Sequence, residues 1–111
     1  AIRYADVLLM SAEALNRGSI SDERARGYLN EVRNRAMLAD VNTSGTNLTN
    51  DIYKERRVEL VGEGHRFFDL VRTGNAAAEI DGFQAGKHEL FPIPIEEIVL
   101  SGNRWDNNPG Y

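Results

Sequence analysis

The run Glu55-Arg56-Arg57-Val58-Glu59-Leu60-Val61-Gly62-Glu63-Gly64-His65-Arg66-Phe67-Phe68-Asp69-Leu70-Val71-Arg72 limits the possible folds more than any other part of this chain. Carboxylates at 55, 59 and 63 recur every four residues and share one helix face, with Arg56, Arg57, Arg66 and Arg72 on or beside it as partners. The stretch reads as a helical ion-pair lattice. Gly62 and Gly64 interrupt it, and glycine costs about 1 kcal/mol relative to alanine inside a helix. The pair therefore marks a kink or a close helix contact.

Upstream, Val7, Leu8, Leu9, Ala12 and Leu15 follow helical spacing over Ile2 to Asn16, and Arg17-Gly18 supplies a basic last turn and a residue suited to a left-handed end. Ser21 is the N-cap expected for a second helix. Asp22 and Glu23 lie in its first turn, and Ala25, Tyr28, Leu29, Val32 and Ala36 form its apolar stripe to about Met37. The two form an antiparallel pair close to the ~34-residue length of a tetratricopeptide unit, without the Trp and Leu-Gly landmarks of that repeat. One such pair cannot bury both of its faces, so further helices are required. Asp40 to Asn47 reads as an exposed, mobile loop. Thr49 or Asn50 is the expected cap of the central helix, with Ile52, Tyr53, Leu60 and Val61 packed inward.

The last third is broken by Gly82, Gly86, Pro92, Pro94, Gly102, Pro109 and Gly110. Leu90 to Pro94 must be extended, because proline disfavours helix at the residue before it. A short helical turn follows over Ile95 to Leu100, and Phe91, Ile93, Ile95, Ile98 and Trp105 are expected to pin the tail to the helices. The fold expected is mainly α and forms one segment over 1–111: a helix pair over 1–37, a kinked helix over 49–74 and an irregular wrapping tail over 75–111. The chain opens on Ala1 with an amphipathic pattern already under way, so it reads as part of a longer protein.

Composition narrows the function. Hydrophobic residues make up 41% and charged residues 27%, values of a folding globular chain. A net charge of -4 argues against a broad hold on nucleic acid. The absence of cysteine excludes disulfides, thiolate metal sites and cysteine nucleophiles. His65 and His88 lack metal-site spacing, no serine has a nucleophile-elbow setting, and Gly62-x-Gly64 does not follow a strand. No catalytic residue, metal or cofactor is indicated. Glu55, Glu59 and Glu63 stand side by side on one helix, whereas glycoside hydrolysis requires carboxylates flanking a bond across a cleft. The one side chain singled out for a ligand is Trp105, which has Asn103, Arg104, Asp106, Asn107 and Asn108 around it to meet sugar hydroxyls. Core or tail anchoring is the competing reading of that indole.

Four ordered motifs carry a resemblance: Tyr4-Ala5-Asp6-Val7-Leu8-Leu9-Met10-Ser11-Ala12-Glu13-Ala14-Leu15-Asn16; Leu29-Asn30-Glu31-Val32-Arg33-Asn34-Arg35-Ala36; Glu55 to Leu60 with Gly62-Glu63-Gly64-His65-Arg66 and Asp69-Leu70; and Phe91-Pro92-Ile93-Pro94 with closing Asn108-Pro109-Gly110-Tyr111. Together they resemble the C-terminal region of SusD-like (RagB/SusD) outer-membrane nutrient-binding proteins. The resemblance implies a cell-surface lipoprotein, not an enzyme, that captures oligosaccharides or other nutrients as the lid of a SusC-like TonB-dependent outer-membrane transporter. It also implies a tetratricopeptide-like α-α superhelix held to the membrane only by an upstream lipid anchor. The family's recurrent positions fall on Arg56, Arg57, Glu59, Glu63, Arg66 and Asp69, which fit a structural lattice. The longer polar run Ser101 to Asp106 and the alanine-rich Ala76-Ala77-Ala78 depart from the family's usual form. A free-standing helical-repeat adaptor binding a peptide or protein is the alternative reading.

Overall fold

The computed structural model describes residues 2–111, which divide into two compact units on either side of the Arg66–Phe67 junction, 2–66 and 67–111. The first unit is built on three helices: α1 (Tyr4–Arg17), α2 (Asp22–Arg35) and α3 (Gly45–Glu59). Their apolar stripes meet in a core of Leu8, Leu9, Ala12, Ala25, Leu29, Val32, Leu48 and Ile52, of which Leu9, Leu29, Leu48 and Ile52 are fully enclosed. The expected antiparallel pair is therefore present, with α3 laid against it.

Both helices of the pair end in the same way. The amides of Ser19 and Ile20 donate to the carbonyls of Asn16 and Leu15, and those of Met37 and Leu38 donate to Asn34 and Arg33. This double closure places its turning residue in the left-handed region, at Ser19 (φ 53°) and Met37 (φ 58°). The left-handed position after α1 is thus Ser19 rather than Gly18. Gly18 is needed for another reason, since a Cβ there would sit 2.7 Å from the Ala14 carbonyl oxygen. Ser21 caps α2 as its sequence position predicts, its hydroxyl accepting from the Arg24 amide at 3.2 Å.

The connection to α3 differs from its expected form. The helix starts at Gly45, four residues before Thr49, and the Ser44 side chain makes no cap hydrogen bond. Asp22 supplies the missing acceptor from α2, taking the Gly45 amide at 2.6 Å and the Asn16 side chain at 2.7 Å. Residues of the loop before it are tied down rather than free. Asn30 clasps Val41 through both its amide and its carbonyl, Arg26 donates to the Thr43 carbonyl, and Arg33 to that of Ala39. Ile52 and Leu60 are buried as expected and Tyr53 is half-buried, but Val61 is 78% exposed because the helix has ended at Glu59. Gly62 and Gly64 both adopt φ of 79°, and open space surrounds the position of a Cβ at each. They break the helix through a conformation other residues resist, not through close contact.

The second unit holds most of α4 (His65–Arg72), then α5 (Ala76–Glu79) and α6 (Ile95–Leu100). No strand occurs among the described residues. The segment at 90–94 is not helical, as its prolines require. It is held by side-chain amides: Asn107 accepts from the Ile93 amide at 2.8 Å and donates to its carbonyl, Asn108 donates to the Phe91 carbonyl, and the Tyr111 hydroxyl to that of Leu90. Of the residues expected to pin the tail, Ile93 and Ile98 are half-buried, while Phe91, Ile95 and Trp105 are exposed. Hydrogen bonds to the backbone, more than apolar anchors, fix this unit.

Candidate functional site

The lattice forms, with partners other than those the helical spacing indicated. Glu55 is paired with Arg33 of α2 at 2.7 Å, and Glu59 takes Arg3 at 2.8 Å and Arg35 at 2.6 Å. Glu63 meets the same Arg3 at 2.6 Å. Arg56 reaches Asp6 of α1 at 2.8 Å, with both side chains almost wholly buried. These bonds run between elements rather than along one helix, because Glu55 and Arg56 lie on the buried side of α3. Asp69 pairs with Arg72 at 2.7 Å within α4, and Arg57 and Arg66 are engaged in interactions of their own. Arg3, Asp6, Arg33 and Arg35 belong to the lattice, although nothing singled them out in the sequence. The signal was present in Asp6, a carboxylate set between the buried positions Ala5, Leu8 and Leu9 of α1.

The electrostatics follow from these contacts. Burial alone would push the Glu59 carboxyl up, but the Arg3 and Arg35 guanidiniums outweigh it and hold the group below the ordinary range. In return Arg3 is raised, by its hydrogen bonds to Glu63 and then Glu59. The Gly45 amide, followed by Asn16, lowers Asp22. A carboxylate held ionised by two guanidiniums, as Glu59 is, makes a poor proton donor. No group of three or more His, Cys, Asp or Glu side chains among the described residues is arranged to hold a metal ion.

Trp105 lies in the second unit with its indole 54% exposed. Asn107 and Asn108 beside it in sequence spend their side chains on the Ile93 and Phe91 backbone, which leaves Asn103, Arg104 and Asp106 as its polar neighbours along the chain. Sequence reasoning did not find a groove of about 320 Å³ in the same unit, lined by Phe67, Phe83, His88, Leu90, Phe91 and Tyr111. Phe67, Phe83 and His88 pack ring against ring there, and His88 Nδ1 accepts the Gln84 amide. Lys87 covers the Tyr111 ring at 4.8 Å.

Tetratricopeptide-like helix pairing, interhelical arginine–carboxylate bonds and a proline-broken tail define a mainly α class of protein. The chain belongs to the SusD family, whose model matches residues 1–89. It is 36% identical to SusD-like protein P2 of Formosa agariphila across 99% of its own length. Among solved structures it is similar to a SusD homolog from Bacteroides thetaiotaomicron, with a TM-score of 0.87 and 36% identity over 97% of the chain. A SusD-like protein from Bacteroides fragilis matches with a TM-score of 0.88 and 30% identity over 99%. The chain spans about a quarter of the length of each: 25% of the Formosa protein, 24% and 25% of the two structures.

Proposed function

We propose that this chain is the C-terminal scaffold segment, 1–111, of a surface lipoprotein that binds oligosaccharides or related nutrients at the bacterial outer membrane. It delivers them to a SusC-like TonB-dependent transporter, and the membrane is reached through a lipid anchor elsewhere in the longer protein. The observation that carries the reading is membership of the SusD family over residues 1–89. The protein acts by binding and needs no catalytic group or cofactor. The lattice of Arg56, Arg57, Glu59, Glu63, Arg66 and Asp69 is read as structural, since carboxylates held by guanidiniums are occupied in place. Trp105 is the side chain of this segment assigned to a sugar face, because an exposed indole with polar neighbours offers both stacking area and hydrogen bonds.

The test is titration calorimetry of the full-length protein, expressed without its anchor, against a panel of oligosaccharides of different linkage. Binding to at least one, with no reducing ends released, is expected. Failure to bind any glycan would overturn the carbohydrate reading. For Trp105→Ala the expected result is weaker binding with an unchanged melting temperature, and unchanged affinity would remove the indole from the site.

A further inference from the structure

We propose that Asp81 is a site of spontaneous backbone modification, where the Gly82 amide closes onto the aspartate side chain and converts part of the protein to the isoaspartyl form. Asp81 is the only aspartate or asparagine of the chain that is followed by glycine. A glycine amide carries no Cβ beside it to hinder an approaching carboxyl group. The other aspartates are placed differently. Asp6, Asp22, Asp51 and Asp69 lie in helices and precede bulkier residues, and after Asp40 the Val41 amide is taken by the Asn30 side chain. Asp106 is followed by Asn107.

The local structure leaves both reacting groups available. Ile80 to Phe83 form a turn closed by one bond, in which the Phe83 amide donates to the Ile80 carbonyl at 3.1 Å. Gly82 has φ of 77°, the conformation that a type II turn demands at its third residue. The peptide between Asp81 and Gly82 is therefore the central one of the turn. It takes no part in the closing bond, so it can rotate towards the carboxyl group without opening the turn. Asp81 and Gly82 are both exposed, and open space surrounds the position of a Cβ at Gly82. Among the described residues, neither the Asp81 carboxylate nor the Gly82 amide has a hydrogen-bond or ion-pair partner.

The chemistry needs no co-reactant other than water. The Gly82 nitrogen attacks the side-chain carbon of Asp81 in its carboxylic acid form. A C–N bond forms, the C–OH bond breaks, and the hydroxyl leaves with the amide proton as one water, giving a five-membered cyclic imide. Water then adds to one of the two imide carbonyls. Cleavage at the side-chain carbonyl regenerates aspartate, and cleavage at the main-chain carbonyl leaves the backbone running through the side chain. The second product lengthens the main chain by one methylene between Ile80 and Phe83, both of which line the aromatic groove. The inference is independent of glycan binding and stands or falls separately from it.

The full-length protein, expressed without its anchor, is held for weeks in warm neutral buffer made with heavy-oxygen water, once folded and once in urea. Trypsin then releases the peptide 73–87, bounded by Arg72 and Lys87. The expected result is a second chromatographic form of that peptide, assigned as isoaspartate at 81 by electron-transfer fragmentation and carrying one heavy oxygen there. Its rate in the folded protein should lie within about tenfold of that in urea, as for an exposed turn that reacts without global unfolding. Asp81→Ser, which has no carboxyl group, should lose the second form altogether. Absence of isoaspartate at 81, a folded rate more than about tenfold below the urea rate, or a product without heavy oxygen would each overturn the proposal.

Discussion

The Arg56–Asp6 pair joins α3 to α1 through a 2.8 Å contact between side chains only 5% and 10% exposed. At an effective dielectric near 20, unit charges at that separation attract by about 6 kcal/mol, and desolvation of the two ions offsets most of it. The pair is therefore close to neutral as a whole, but removing one member leaves the other buried and uncompensated. Arg56→Met should lower the unfolding free energy by about 3–5 kcal/mol, a large share of the roughly 5–15 kcal/mol of an ordinary domain. The assay is urea unfolding followed by helical circular dichroism, reading the midpoint at unchanged slope. Arg56 has interactions beyond Asp6, so the cycle also needs Asp6→Leu and the double variant Asp6→Leu/Arg56→Met. The double is expected to be markedly more stable than the sum of the singles predicts. A loss below about 1 kcal/mol for Arg56→Met, or strict additivity in the cycle, would refute the idea of a desolvated pair that fails when halved.

Glu59→Gln should cost less, about 1 kcal/mol, because Arg3 and Arg35 are 37% and 59% exposed and water screens their attraction. Glu59 is held below its ordinary 4.5, so its contribution is complete above pH 4.5 and is lost as pH falls through the folded value. The variant's stability should accordingly approach that of the parent as the medium is acidified below pH 4.5, and a gap that stays constant would contradict this; the same series should leave glycan affinity unchanged. Ser21→Ala removes the acceptor of the Arg24 amide and should destabilise by about 1 kcal/mol, measured as a fall in melting temperature. Leu9→Ala empties a site with no solvent exposure and should cost about 2–5 kcal/mol in the same urea titration.

Much of the architecture was legible in local pattern. Spacing alone placed α1 and α2, Ser21 announced the second helix, and the prolines at 92 and 94 prescribed the break before α6. What local pattern missed was decided by distant residues. The start of α3 is one case: Thr49 and Asn50 are reasonable caps in isolation, but Asp22, 23 residues away, captures the Gly45 amide and extends the helix by a turn. The loop before α3 is another, since its polar composition reads as mobile until Asn30, Arg26 and Arg33 reach across from α2. At Val61 the apolar pattern continued past the point where Gly62 and Gly64 end the helix, and a stripe has no meaning once the period is lost. The aromatic groove of the second unit could not be read at all, because Phe67, Phe83 and Tyr111 share no period.

The same distinction underlies the structural role proposed for the charged cluster. Residue types common in binding sites, arginines and glutamates in a dense run, are in this chain consumed by one another. Asp6 with Arg56, Arg33 with Glu55, and Glu59 between Arg3 and Arg35 each connect different segments of the first unit, so each fixes an interhelical register as well as a charge. An apolar contact between the same helices would tolerate sliding by a fraction of a turn, whereas a 2.7 Å guanidinium–carboxylate bond would not. Arg33→Met/Glu55→Leu tests this. If the pair contributes register rather than net energy, the double variant should unfold at a urea concentration close to the parent's. Its amide exchange in α2 and α3 should nevertheless be faster, through looser packing of the two helices. Parent-like exchange together with parent-like stability would show that the apolar core sets the register by itself.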